Sequence, residues 1–408
     1  MRLLHIADTH LGARPKGIVE REGDLYEAFK EIIDIAIESK VDAVIHAGDM
    51  FHDTSLYPTP YIIAVEELSR LKSRGIAFYA VAGNHDAAKP TRNSPLELLH
   101  RLGYIRLLSD DEKPGVVRLT GSSGIEIEIH GYSYKASDRL LASSMNPPRY
   151  SVLLAHIRLC DAWSQRYGRD ERICLESGRD SAVTHRLPKG FSYYALGDLH
   201  RSWRGVYAGS HIIYPGSPET ISRDDYEETK RVFLVDITGD GVSIRDIPLK
   251  STRPWIFIEA GDYRELLSRV NELDSRVRGY KKPPIVVIKI YRRLEKGERE
   301  RITGILDQLM RDKKILAYDG PEVEELGGVL HETKDTVLKS SVGVEEAVNM
   351  VFRDQDVRSF ILNEVIRGRS EGSKLLSRLL ESGDLLSKLS EEPEIKRHLQ
   401  SMAKGGRI

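Results

Sequence analysis

Five short apolar runs, each ending in a knot of Asp, Asn or His, constrain this chain of 408 residues more than any other feature. Residues 3–7 lead into Asp8-Thr9-His10, residues 43–46 into Gly48-Asp49-Met50-Phe51-His52, and residues 76–82 into Gly83-Asn84-His85-Asp86. Residues 152–155 lead into His156, and residues 193–196 into Gly197-Asp198-Leu199-His200. Between the first three runs, apolar residues recur at helical spacing: Leu25, Phe29, Ile32, Ile33, Ala36 and Ile37, then Val65, Leu68 and Leu71. Continuous short runs alternating with such helices predict an α/β layered fold with strands buried between helices. Farther on, Ile125, Ile127 and Ile129 alternate with Glu126 and Glu128, a half-exposed strand in a part richer in β structure. Side chains alternate along a strand, so Asp8 and His10 are expected on one side, as are Asp198 and His200. The glycines let the backbone turn and approach an ion, and Asp, Asn and His are the mixed oxygen and nitrogen donors of Mn, Fe or Zn.

Composition bounds the rest. A formal charge of −1 excludes a globally basic nucleic-acid protein. No run of 18 apolar residues exists, and Asp8 interrupts any signal-peptide core, so a cytoplasmic address is expected. Cys160 and Cys174 cannot build a disulfide framework or a four-thiolate zinc site; they could pair with each other, but free or buried thiols are the expectation. Four glutamines in a chain that is 30% charged point to a hot habitat. The length fits two or three domains. A composition shift at residues 248–254 separates a first domain, 1–250, from a smaller α+β unit, 251–335. Only helical periodicity follows over 336–395, with a tail at 396–408.

A lone Asp after a strand usually caps a helix, and a lone His is usually structural; the ordered set of five is what carries weight. As a set it resembles the calcineurin-like metallophosphoesterase superfamily, with its order Asp-x-His, Gly-Asp, Gly-Asn-His-Asp, His and Gly-His-x-His. Within it, the chain resembles the SbcD-type, meiotic-recombination-eleven nucleases of double-strand-break repair. The marks are residues 4–12, Ala47-Gly48-Asp49-Met50-Phe51-His52, Tyr194-Ala195-Leu196-Gly197-Asp198-Leu199-His200 and Tyr214-Pro215-Gly216-Ser217-Pro218-Glu219. The resemblance implies a two-sheet sandwich flanked by helices, a small capping domain and a C-terminal helical partner-binding segment. It implies two Mn ions per chain, Mg being the other ion the set would accept. Asp8, His10 and His200 would hold one, Asn84, His156 and position 198 the other, with Asp49 bridging. His85 matches the catalytic histidine and His52 a second histidine near the scissile bond. One departure stands out: Asp198 occupies a position where the family pattern has His. An oxygen donor there favours harder ions, or the carboxylate points away and leaves that site weak.

The resemblance further implies 3′–5′ exonuclease and single-strand endonuclease activity on DNA, a homodimer and an SMC-like ATPase partner. Arginines including Arg166, Arg169, Arg201 and Arg204, interleaved with Trp163, Tyr167 and Trp203, form either a DNA-tracking rim or a solvated surface, since acidic residues accompany them. Residues 60–72 and 91–103 are candidate dimer helices. The chain carries no Gly-x-x-x-x-Gly-Lys loop, so an ATP-driven step needs a partner. Phe360, Ile361, Val365, Leu375, Leu376 and Leu379 are the candidate contacts for it. The alternatives are a catalytically weak DNA-end-binding scaffold and a small-nucleotide phosphoesterase.

Overall fold

The computed structural model describes residues 1–323 apart from 90–91, 177–180 and 227–228. The helical segment expected over 336–395, with its candidate contacts from Phe360 to Leu379, lies outside the described residues.

In chain order the strands are Arg2–Ile6 (β1), Ala43–His46 (β2), Ala77–Val81 (β3), Arg106–Ser109 (β4), Gly115–Thr120 (β5), Glu126–Tyr132 (β6), Ser151–His156 (β7), Arg158–Leu159 (β8), Ser181–Ala182 (β9) and Tyr193–Gly197 (β10). Trp203–Tyr207 (β11), Ser210–Tyr214 (β12), Arg231–Thr238 (β13), Gly241–Pro248 (β14), Trp255–Ala260 (β15), Ile285–Ile290 (β16) and Ala317–Val323 (β17) follow. The helices are Val19–Glu38 (α1), Pro58–Lys72 (α2), Pro95–Arg101 (α3), Ser137–Ala142 (α4), Cys160–Tyr167 (α5), Glu171–Glu176 (α6), Tyr263–Arg276 (α7) and Lys296–Arg311 (α8).

Two six-stranded sheets, β14-β13-β1-β2-β3-β4 and β11-β12-β10-β7-β6-β5, pack face to face. Leu3, Ala43, Ile45 and Val81 from the first meet Ile129, Val152, Leu154 and Ala195 from the second in one buried cluster. Leu4, Ile6 and Val44 point the other way, onto Phe29, Ile32 and Ile33 of α1 and Leu68 of α2. Both faces of β1 and β2 are therefore covered, which is why their sequences read as unbroken apolar runs. The second sheet is covered outside by Leu140 of α4 and Ala162 of α5 against Leu153, Tyr194 and Ile212.

Strands β1, β2 and β3 run parallel, as do β6, β7, β10 and β12, so each sheet presents a row of carboxyl ends from which loops emerge. Parallel sheets put their binding sites at that edge. A third, three-stranded parallel sheet, β15-β16-β17, carries α7 and α8 around its own core of Ile256, Ile258, Leu266, Val286, Ile288 and Leu306. Helix α7 starts at Asp262, whose carboxylate accepts from the Arg264 and Glu265 amides at 2.8 and 3.0 Å. A buried charge cluster ties this unit to α1: Asp24 accepts from Arg21 and Arg253, each at 2.6 Å, and from Lys282 at 3.0 Å.

One expectation is corrected. Cys160 and Cys174 are not free thiols; they form a disulfide. Adjacent short helices α5 and α6 bring their Cα atoms to 5.5 Å, within the range a disulfide spans.

Candidate metal centre

All five expected strand ends converge. Strand β1 stops at Ile6, so Asp8 and His10 do not meet by strand alternation, as the sequence pattern had implied. They converge through left-handed turns, with φ of 53° at Asp8 and 43° at His10. Asp49 (58°) and Asp198 (105°) share the left-handed sign. The left-handed helical conformation costs a residue with a Cβ roughly 1–2 kcal/mol, and such strain gathers at functional sites. The loops after β1 and β2 hold one another in this form: the amides of Asp8, His10 and Leu11 donate to the carbonyls of Gly48, Asp49 and Met50 at 2.9–3.0 Å. Two glycines are obligatory. A Cβ on Gly48 would lie 2.3 Å from His156 Nδ1, and one on Gly83 would lie 2.0 Å from Asp49 Oδ1.

The buried side chains form two adjoining donor sets. His10 Nε2 lies 3.1 Å from His200 Nε2, with Asp8 beside them. His156 Nε2 lies 3.1 Å from Asn84 Oδ1 and 3.9 Å from Asp198 Oδ1. Asp49 Oδ2 stands between the sets, 3.7 Å from His10 Nε2 and 3.6 Å from His156 Nε2. These residues fit a pair of divalent ions. His200 Nδ1–H is committed to Asp225 at 2.9 Å, so Nε2 is the ring atom turned toward His10 Nε2 and the one that would bind an ion. Two imidazole nitrogens at that separation share a proton in the metal-free chain, and an ion about 2.1 Å from each also satisfies the geometry. His156 is fixed in the same way, Nδ1–H donating to the Ala47 carbonyl at 2.8 Å.

The electrostatics describe a site built for cations. Burial pushes the Asp8 carboxyl up to about 7, opposed by His156 and His200. Burial would lower His156 and His200, but carboxylates outweigh it and raise both to about 9: Asp49, Asp8 and Asp198 for the first, Asp225, Asp8 and Asp198 for the second. His10, buried among imidazoles, falls well below the usual histidine value.

His85 and His52 stand beside the donor sets, their rings stacked 4.9 Å apart. His85 Nδ1 bonds the His52 carbonyl at 2.8 Å, which leaves Nε2 for a reacting group. Two further carboxylates support the site. Asp86 accepts from the amides of Met50, Phe51 and Gly83 at 2.7, 3.1 and 2.8 Å, locking the second and third loops together. Asp225, which orients His200, also accepts from Ser222 N and Oγ at 3.0 and 2.8 Å. Asp86 belonged to a quoted motif; nothing local marks Asp225.

The sets open onto a cleft of about 240 Å³ lined by Asn84, His85, Arg158, Trp163, Tyr167, Arg169 and Asp198, among others. Of the four candidate DNA arginines, Arg169 lines this cleft, its guanidinium 5.8 Å from the Trp163 ring. Arg204 borders a different, apolar groove beside Val206 and Ile244 and pairs with Asp246. Arg166 donates to the Ser202 carbonyl, and Arg201 lies over the Tyr167 ring.

The sequence matches the family model of calcineurin-like phosphoesterases over residues 1–214. The chain belongs to this family. Its Mre11 branch is shown by relatives named DNA double-strand break repair protein Mre11. That of Sulfurisphaera tokodaii is 34% identical over 66% of this chain and 69% of the relative. That of Methanocaldococcus jannaschii is 30% identical over 78% and 83%. The chain is a metal-dependent phosphodiesterase of a family that uses a dimetal site, and its His and Asp groups are of the kind that hold metal. Among the described residues, no helix is long and apolar enough to cross a membrane.

Proposed function

We propose that this chain is the nuclease subunit of a DNA double-strand-break repair complex, hydrolysing phosphodiester bonds with a pair of manganese ions. The observation that carries this reading is the position of Asp49, whose Oδ2 is nearly equidistant from His10 and His156 Nε2, as a bridging carboxylate must be. In this reading Asp8, His10 and His200 hold one ion and Asn84, His156 and Asp198 the other. Asp198 in place of an imidazole tilts the second set toward Mn or Mg. Divalent ions in such a pair supply Lewis-acid activation of a phosphoryl oxygen and of water.

The chain's own residues do the rest. Asp225 and the Ala47 carbonyl keep His200 and His156 in the tautomer that offers Nε2. His85, whose Nδ1–H donates to the His52 carbonyl, turns Nε2 to the reacting group, where its imidazolium form would give a proton to the leaving oxygen or stabilise the charged phosphoryl group. His52 supports it from the stacked ring.

The name carried by the relatives, DNA double-strand break repair protein, supports DNA as substrate; 3′–5′ exonuclease and single-strand endonuclease action at ends is what the sequence resemblance implies. Arg169 is the arginine best placed to meet a backbone near the cleft. Exposed Ile62 (53%) on α2, with Leu98 (48%) and Leu102 (52%) on and after α3, supports a second copy as partner. Residues 251–335 cap the DNA, residues 336–395 dock an SMC-like ATPase, and the complex works in the cytoplasm at the nucleoid.

The test is purified chain with Mn and end-labelled linear duplex. Cleavage that His85→Gln abolishes while Mn uptake persists supports the nuclease. Binding without cleavage at any Mn level indicates a scaffold, and turnover of mononucleotide esters alone indicates a small-nucleotide enzyme.

A further inference from the structure

Asp198 does not face the metal sets alone. Arg158 Nε donates to Asp198 Oδ2 at 2.6 Å and its terminal nitrogen to Oδ1 at 2.9 Å, a two-point fork that engages both carboxylate oxygens. The fold brings the two together. Strands β7 and β10 are parallel neighbours with His156 opposite Gly197, so Arg158 and Asp198 leave adjacent strand ends on the same edge. The Asp198 side chain is 4% exposed and that of Arg158 33%, and both line the cleft with Asn84 and His85.

Replacing a neutral histidine by aspartate adds one negative charge to a site that already holds Asp8 and Asp49. A buried carboxylate without a partner is strongly disfavoured. The Arg158 guanidinium supplies the opposite charge directly against both Asp198 oxygens. It also changes what the cleft displays. The guanidinium that Asp198 holds is one-third exposed and lines the cleft beside the second donor set, and a permanent charge so placed matches phosphate oxygens.

We propose that Arg158 and Asp198 together replace the family's histidine: Asp198 orients and neutralises Arg158, and Arg158 binds a non-bridging oxygen of the DNA phosphate at or next to the bond cut. The proposal rests on the nuclease reading above. It makes Arg158 a substrate-binding residue and Asp198 its positioning residue as well as a metal donor.

The experiment measures binding of full-length protein to a phosphorothioate-protected oligonucleotide by fluorescence anisotropy, with Mn present, from about 50 to 200 mM salt. Manganese uptake is followed by calorimetry for every variant as a control for an intact site. Arg158→Gln is expected to weaken binding roughly tenfold, the loss of one charge-assisted contact. It should also reduce the slope of log affinity against log salt by about one. Arg158→Lys should recover the slope but not the full affinity, since an ammonium cannot make the fork. Asp198→His alone should weaken binding by releasing Arg158, and Asp198→His with Arg158→Gln should be no weaker than Arg158→Gln. Unchanged affinity and slope in Arg158→Gln, with Mn uptake intact, overturns the phosphate contact. Strict additivity of the two substitutions overturns their action as a unit. Wild-type protein that neither binds nor cuts DNA would refute the nuclease reading instead.

Discussion

Replacement of Asp225 should weaken one metal position and spare the other. Its Oδ2 accepts from His200 Nδ1 at 2.9 Å while Ser222 N and Oγ hold the carboxylate at 3.0 and 2.8 Å, and the side chain is only 10% exposed. In Asp225→Asn the amide oxygen can still accept from Nδ1–H, so what is lost is the charge assistance. Hydrogen bonds to charged groups contribute about 1.5–3 kcal/mol and neutral ones about 0.5–1.5, a difference of about 1 kcal/mol. At about 1.4 kcal/mol per decade, Mn affinity at the Asp8–His10–His200 position falls about fivefold. Asp225→Ala removes the acceptor, frees the ring to turn and leaves Nδ1–H unpaired; about 10–100-fold is expected. Calorimetric titration of metal-free protein with Mn, fitted to two sites, reads both changes. Two unchanged affinities in Asp225→Ala would refute the claim that this carboxylate sets His200. An equal loss at both sites would mean that Asp225 supports the whole loop rather than one ligand.

Three further outcomes are expected. In the metal-free chain Asp8 (about 7), His156 and His200 (both about 9) hold protons more tightly folded than unfolded, so their stabilising contribution is lost as pH rises through that range. Manganese takes the same lone pairs, so its affinity should climb over the same interval; a flat calorimetric profile between about pH 6 and 9 would contradict the ligand assignment. Asp24, 2% exposed and paired with Arg21, Arg253 and Lys282, should cost about 3–5 kcal/mol when changed to Ala, because buried cations lose their counter-charge. Denaturant unfolding checks it, and a change under about 1 kcal/mol would show the cluster to be water-accessible. Cys160→Ser with Cys174→Ser opens a loop with a sequence separation of 14 and should cost about 3 kcal/mol by the chain-entropy relation. Alkylation of both thiols in the unreduced native protein would instead show that no disulfide forms.

What the sequence made legible follows from how each feature is encoded. Buried strands announce themselves as continuous apolar runs because β1, β2, β7 and β10 are covered on both faces. The Asp, Asn and His residues of the donor sets follow directly after them in the chain, so all five clusters were readable. Features that depend on chain path were not. Alternation from residue 6 onward implied a common side for Asp8 and His10, yet two left-handed turns achieve the convergence. Asp225 lies 25 residues beyond His200, and only the return of the chain after β12 brings it under the imidazole. The Arg158–Asp198 fork spans 40 residues and depends on which strands are neighbours. The disulfide was missed for the same reason: two cysteines define no framework until α5 and α6 are folded side by side.

The proposed activity is cleavage of the DNA backbone by two ions held by the donor sets on either side of Asp49. It is tested most directly by adding Mn stepwise to metal-free protein while following bound Mn and cleavage of labelled linear duplex in the same samples. Saturation at two Mn per chain is expected, with cleavage rising as the second ion binds and absent in His85→Gln at full loading. Saturation at a single ion, or cleavage that does not depend on Mn, would contradict it.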